Sequence, residues 1–258
     1  MKHENTILEF DKVSKIFGGL SAVSSVNIYL DKGELVGLIG PNGAGKTTIF
    51  NLFTGVYKPT KGEIRLNGEK IDGLKPFQIT RKGIGRTFQN IRLFSDLTVL
   101  DNVRIAYHIH AKYGIFSAIT RLKRYKIGEK EITDKAMEFL KIFNLDEKAD
   151  EIAKNLSYGE QRRLEIARAL AVQPQVLMLD EPAAGMNPQE TAELSELIAF
   201  IREKFGLTIL LIEHDMSLVM KICERLYVLD YGMVIASGSP QEVRENRKVI
   251  EAYLGEEA

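Results

Sequence analysis

Lys46 and Thr47 close an eight-residue run, Gly40, Pro41, Asn42, Gly43, Ala44, Gly45, Lys46 and Thr47, that fits the pattern G-x-x-x-x-G-K-[ST]. An apolar run, Leu35 to Ile39, precedes it and reads as a buried strand. The stretch Thr47 to Phe53 after it reads as a helix. Strand, glycine-rich loop and helix is the arrangement that cradles phosphate. Glycines let backbone N–H groups turn toward the anion, and the helix N-terminus adds partial positive charge. In such a loop Lys46 reaches the β- and γ-phosphates, and Thr47 offers its hydroxyl to Mg²⁺.

A phosphate loop needs a carboxylate for the metal. The apolar run Val176 to Leu179 ends in Asp180, and Glu181 follows at once. Asp180 is the expected metal partner. Glu181 is placed to accept a proton from a water attacking the γ-phosphate. His214 is expected to end the next buried strand, where ends of parallel strands converge, and is a candidate γ-phosphate sensor. Gln89, after Gly85-Arg86-Thr87-Phe88, has a carbonyl oxygen suited to Mg²⁺ or to positioning water. Ser157 and Glu160 form an S-x-x-E capping box ahead of a strong helical pattern from Gln161 to Ala171. With Gly159 beside it, that helix start is a second anion-type site. His108 and His110 lack such a setting and read as surface or packing residues.

The elements that must hold these groups are legible in outline. The first thirty or so residues alternate apolar and polar, with turns at Gly18-Gly19 and at Asp31 to Gly33, so they predict antiparallel strands. Glu63 to Leu66 followed by Asn67-Gly68 predicts a hairpin. From about 90 to 155 helical periodicity takes over, as in Ile132 to Phe143. After 155, helices alternate with continuous apolar runs, Gln175 to Leu179 and Leu207 to Ile212, typical of a parallel sheet covered on both faces. Leu226 to Asp230 and Met233 to Ala236 flank Tyr231-Gly232 as a closing hairpin. The fold class is therefore α/β: a P-loop NTPase with a mixed/parallel sheet core, an N-terminal antiparallel β subdomain and an inserted α-helical subdomain.

The 258 residues carry 35 basic and 35 acidic side chains, which argues against a broad nucleic-acid-binding surface. A single cysteine, Cys223, excludes an internal disulfide and a multi-cysteine zinc site, and suits a reducing cytoplasm. It is expected to fall in an amphipathic helix and reads as a packing residue. No run approaches eighteen consecutive apolar residues, so attachment to a membrane would depend on another chain. The basic cluster Arg121, Lys123, Arg124 and Lys126 reads first as a solvated helix face, with contact to a membrane partner or lipid headgroups as the alternative.

Taken together, these motifs and their order resemble the ATP-binding subunit of ABC transporters, over about residues 7 to 255. The resemblance implies ATP and Mg²⁺ as cofactors. It implies one ATPase domain over 1–258, with its core at 1–89 and 156–258 and its helical subdomain at about 90–155. It assigns Gly40 to Thr48 and Gln89 to nucleotide contact, with Thr47, Gln89 and Asp180 at the metal. Lys46, Glu181 and His214 take the catalytic roles. Phe17 takes the adenine-stacking position, where many members have Tyr. Ser157, Gly159 and Glu160 belong to a signature loop that closes over ATP held by a second, head-to-tail ATPase subunit, the same or a different chain.

Two departures stand out: Tyr158 in the signature, and Asn187 in Ala184 to Asn187, where Asp is frequent. Loss of that charge is expected to alter coupling between the two ATP sites. These features resemble the ATPases of branched-chain amino-acid importers, as do Gly85 to Phe94, the insertion from Tyr107 to Gly128 and the ending Tyr253 to Glu256. The implied partners are membrane permease subunits and, indirectly, an extracytoplasmic binding protein, with no nucleic acid. The implied location is the cytoplasmic face of the membrane. An exporter of a lipid-linked molecule and a soluble ATPase acting on ribosomes or DNA are the alternatives.

Overall fold

A computed structural model describes residues 5–254, apart from 122. In chain order the elements are β1 (Thr6–Phe17), β2 (Leu20–Asp31), β3 (Leu35–Ile39), α1 (Lys46–Phe53), β4 (Lys61–Leu66), β5 (Glu69–Lys70), α2 (Pro76–Arg81) and β6 (Ile84–Arg86). There follow α3 (Val99–Tyr107), α4 (Ile115–Ile119), α5 (Lys123–Ile142) and α6 (Tyr158–Ala171). The chain continues with β7 (Val176–Asp180), α7 (Pro188–Phe205), β8 (Thr208–Ile212) and α8 (Met216–Ile222). It closes with β9 (Arg225–Asp230), β10 (Met233–Gly238), α9 (Pro240–Arg244) and α10 (Arg247–Leu254). Contacts divide it into two units, Met1–Arg86 with Gln175–Ala258, and Thr87–Pro174.

The first unit holds two sheets. One is antiparallel, in the order β2-β1-β4-β5. The other runs β10-β9-β3-β8-β7-β6 and is parallel except for β10, which pairs antiparallel with β9. Every residue of β3, β7 and β8 is buried, as suits strands rich in Val, Leu, Ile and Met and covered on both faces; only Gly37, Asp180 and Thr208 depart from that composition. The core between and around the sheets includes Phe10, Leu38, Ile49, Phe50, Phe53, Met178, Leu210 and Tyr227, with the Phe10 and Phe53 ring centroids 3.8 Å apart. Truncating one of these phenylalanines to alanine would cost about 3–5 kcal/mol.

Register brings the chemistry to one edge. Leu38 and Asp180 both pair with Ile212, so β3, β8 and β7 end level with one another. The loops leaving these strands carry the glycine-rich run, Glu181, and His214. His214 sits two residues beyond the end of β8 rather than on it.

The second unit is helical. Val99 and Val103 of α3, Ile132, Ala136 and Leu140 of α5, and Leu164, Ile166 and Leu170 of α6 are buried. Among its helices α3 packs on α5 and α6, and α5 on α6. The sequence reading ends this subdomain near 155, whereas the contacts carry it through α6 to Pro174. The reason is that α6 shares its apolar face with α3 and α5. Cys223 is buried, as a packing residue should be, but it lies just past α8 with extended backbone rather than within a helix.

Candidate nucleotide site

The loop after β3 is shaped by contacts that only glycine permits. Gly40 has φ of 147°, and a Cβ there would lie 2.1 Å from the Leu229 carbonyl oxygen. Gly45, the N-cap of α1, has φ of 104°, and a Cβ there would lie 2.7 Å from the Ala22 carbonyl oxygen. Close approach of β2 and β9 thus dictates both residues. Gly45 offers no side-chain acceptor to the first turn of α1, so an anion is the natural acceptor at that helix end. Lys46 is only 6% exposed, and its Nζ donates to the carbonyls of Gly40 at 2.5 Å and Pro41 at 2.8 Å. Its ammonium is therefore held inside the loop it serves, while Ile49, Phe50, Leu52 and Phe53 bury the other face of α1.

Asp180 ends β7 with its carboxylate paired to Arg86, whose Nη2 lies 2.9 Å from Oδ2. Arg86 is the last residue of β6. Its Nη1 also donates to Asn51 Oδ1 at 2.7 Å and Thr54 Oγ1 at 3.1 Å, and its guanidinium lies over the Phe50 ring. One cation thereby ties β6, α1 and β7 together and orients the Asp180 carboxylate. Glu181 adopts φ of 47°, a left-handed conformation that costs a non-glycine residue about 1–2 kcal/mol. Its N–H donates to the Ile212 carbonyl at 2.9 Å, which anchors the turn to β8. The outcome is a contact of 2.9 Å between Glu181 Oε1 and His214 Nε2. The sheet therefore brings together the glycine-rich loop, Asp180, Glu181 and His214.

Glu213 was not singled out in the sequence, yet it braces this corner. It is 4% exposed; Oε1 accepts from Ala183 N–H at 2.7 Å and Oε2 from His214 N–H at 3.1 Å. Burial pushes its carboxyl above the usual range, against the pull of those backbone donors. Asn187 caps α7: its Oδ1 accepts from Gln189 N–H and Glu190 N–H, both at 3.0 Å.

The donors suit a nucleotide with Mg²⁺. Thr47 and Asp180 supply hard oxygens, the chemistry Mg²⁺ prefers. Among the described residues no group of three or more His, Cys, Asp or Glu is arranged to hold a metal.

Phe17 stands at the end of β1, 39% exposed, edge-on to Tyr57 at 5.0 Å, with Lys15 Nζ 4.9 Å from its ring centroid.

The remaining candidates lie on the second unit. Ser157 and Glu160 form the expected capping box: Ser157 Oγ accepts from Glu160 N–H, and Glu160 Oε2 accepts from Ser157 N–H at 3.0 Å. Lys148, 2.6 Å from Glu160 Oε1, holds that carboxyl below its ordinary range together with the cap itself. Gly159 occupies the first turn of α6. Gln89 is joined to the same helix by a clamp that the sequence reading missed. Arg162 is fully buried; it donates to the carbonyls of Phe88 at 2.7 Å and Gln89 at 2.8 Å, to Glu165 at 2.9 Å and to Tyr158 Oη at 3.1 Å. Glu165 accepts in turn from Phe88 N–H and Arg92 N–H. Tyr158 therefore helps hold the guanidinium that ties Gln89 to the start of α6. His108 is partly exposed near Glu129, and His110 stacks on Tyr107 with its Nε2 3.2 Å from the Val172 carbonyl oxygen.

Comparison with known proteins identifies the family. The ABC transporter family profile matches residues 23–184, and that of the branched-chain amino acid ATP-binding cassette transporter matches 233–258. The chain is 52% identical over 240 residues to the high-affinity branched-chain amino acid transport ATP-binding protein LivG of Escherichia coli K12, covering 93% of this chain and 94% of LivG. Among solved structures, an ATP-binding cassette of an ABC transporter in its ADP conformation superimposes with a TM-score of 0.84 at 32% identity, covering 97% of this chain and 99% of that one. A dimeric cassette in a post-hydrolysis state, bound to ADP and Pi, gives 0.77 at 27% identity, covering 91% and 99%.

Proposed function

The chain belongs to the ATP-binding subunits of ABC transporters, ATPases of the P-loop fold, and from that premise we propose that it powers a branched-chain amino-acid importer. In this reading Gly40 to Thr48 bind the triphosphate, with Lys46 on the β- and γ-phosphates, and Phe17 stacks on the adenine. Thr47, Asp180 and Gln89 are the residues that would hold Mg²⁺, which neutralises phosphate charge. Glu181 takes a proton from the attacking water. His214, 2.9 Å away, keeps that carboxylate in position and senses the γ-phosphate.

Two ATPase subunits pair head to tail, as the same or as sister chains. Ser157, Gly159 and Glu160 of each close over the nucleotide of the other. Hydrolysis removes the γ-phosphate contact and lets them part. The helical unit passes that motion to membrane permeases, which receive the solute from an extracytoplasmic binding protein. Among the described residues no helix is long and apolar enough to cross a membrane. In this reading the permeases hold the chain peripherally at the cytoplasmic face.

One observation carries the substrate assignment. The match over 233–258 to the branched-chain amino acid cassette lies outside every ATP-binding motif, so general ATPase ancestry does not account for it. The test is leucine uptake by cells lacking the gene. Uptake should fall, return with the parent gene, and fail to return with Glu181→Gln, whose hydrolysis should drop by about 10²–10⁴-fold. Unchanged uptake of leucine, isoleucine and valine in the deletion strain would overturn the assignment.

A further inference from the structure

The corner between α4 and α5 carries chemistry that ATP turnover does not use. From Asn102 to Gly128 the chain has no acidic residue, although acids and bases balance over the whole protein. Lys112, Arg121, Lys123, Arg124 and Lys126 are exposed, and none forms an ion pair among the described residues. Between these cations stand Phe116, 75% exposed, and Ile119, 76% exposed, three residues apart on α4. Ile127 is half exposed on the first turns of α5.

The base of this corner is built. Tyr113 packs edge-on against Tyr125 at 5.2 Å and lies across α5 where Gly128 leaves room; a Cβ there would come 2.5 Å from the Tyr113 ring. Glu129 accepts from Tyr113 Oη and from Arg104 Nη2 at 2.8 Å, with His108 Nε2 at 3.3 Å. Glu129, the first acid in the chain after this stretch, is thus already engaged.

We propose that this tip is a docking surface for an anionic lipid bilayer, with Phe116 and Ile119 entering the headgroup layer and the five cations meeting lipid phosphates. Cations alone would serve an acidic protein segment. Two large apolar side chains left three-quarters in water, within a stretch of chain that carries cations and no acid, match an interface that is apolar below and anionic above. The surface belongs to the chain itself and holds whichever solute the permeases carry.

The test is co-sedimentation of the full chain with phosphatidylcholine vesicles, with and without phosphatidylglycerol. Binding should require the anionic lipid and weaken as salt shortens the screening length. Replacing Arg121, Lys123, Arg124 and Lys126 together with glutamine should lower it at least about tenfold, since each contacting charge counts for about fivefold. Phe116→Ser with Ile119→Ser should lower it comparably, and basal ATPase should be unchanged in both variants. Because the chain has no tryptophan, F116W provides an independent reading: its emission should shift to the blue on anionic vesicles only. Binding that ignores phosphatidylglycerol, or an unshifted F116W spectrum, would overturn the proposal. So would a serine double variant that binds as well as the parent.

Discussion

Arg162→Ala offers the sharpest check on the clamp that joins Gln89 to α6. The Arg162 and Glu165 side chains are 0% and 3% exposed and 2.9 Å apart. Removing one partner of such a pair leaves an uncompensated buried charge, which costs about 3–5 kcal/mol. The carbonyls of Phe88 and Gln89 lose their donor in the same step.

The loss should depend on pH with a definite sign. Burial already pushes the Glu165 carboxyl above its ordinary range, while Arg92 N–H and the Arg162 charge pull it down. A carboxyl raised on folding favours the folded state most below its unfolded pKa, and that benefit is lost as pH rises through the folded value. Without Arg162 the carboxyl rises further, so the deficit of Arg162→Ala should shrink on mild acidification and be largest near neutrality. Urea unfolding of parent and variant at both conditions measures this. Hydrogen exchange at the Phe88 and Arg92 amides reads it locally, because both donate to Glu165. Arg162→Met with Glu165→Leu should regain much of the loss, since apolar replacement of a whole buried pair is often neutral or better. A deficit under about 1 kcal/mol, the scale of an exposed pair, would refute the reasoning. A double variant as unstable as the two singles combined would do the same.

Three further outcomes are expected. Burial pushes the Cys223 thiol up to about 12, so an alkylating reagent at neutral pH should label the native protein at least about 100-fold more slowly than the urea-unfolded chain. Equal rates would show that the thiol is accessible. Asn187→Ala removes the acceptor for two first-turn amides of α7 and should lower stability by about 0.5–2 kcal/mol in thermal melts, with Asn187→Ser recovering most of it. Gly40→Ala drives a Cβ into the Leu229 carbonyl, so it should yield chain that is insoluble or fails to bind a fluorescent ATP analogue; normal binding would contradict the packing described.

What could be read from sequence was whatever is local. The glycine-rich loop announces its strand and helix because chain neighbours set its conformation. Asp180 and Glu181 stand out because a buried parallel strand is a continuous apolar run that stops at an acid. Ser157 and Glu160 are three apart, so their cap is visible without a fold. The interactions that orient these groups span long stretches of chain. Arg86 meets Asp180 across 94 residues, and Arg162 meets Phe88 across 74. In a sequence each looks like one more surface cation, since nothing local distinguishes a guanidinium at 0% exposure from one in water. Glu213 was hidden for the same reason, between an apolar strand and a more conspicuous histidine. The far edge of the helical unit was missed because α6 begins with a strong cap, which marks a helix start but says nothing about which core the helix joins.

The path from β6 to β7 has a consequence for any attempt to trim this protein. These strands are parallel neighbours, with Ile84 opposite Val176 and Arg86 opposite Met178. Parallel neighbours cannot be joined by a tight turn; the chain must travel back along the sheet, which takes a dozen residues or more. Residues 87–174 make that return. A deletion that fused Arg86 directly to Gln175 would force β7 to reverse or to leave the sheet, carrying Asp180 with it. Any minimal ATP-binding core must therefore keep a crossover at this point, and the helical unit is exchangeable there only for another return path.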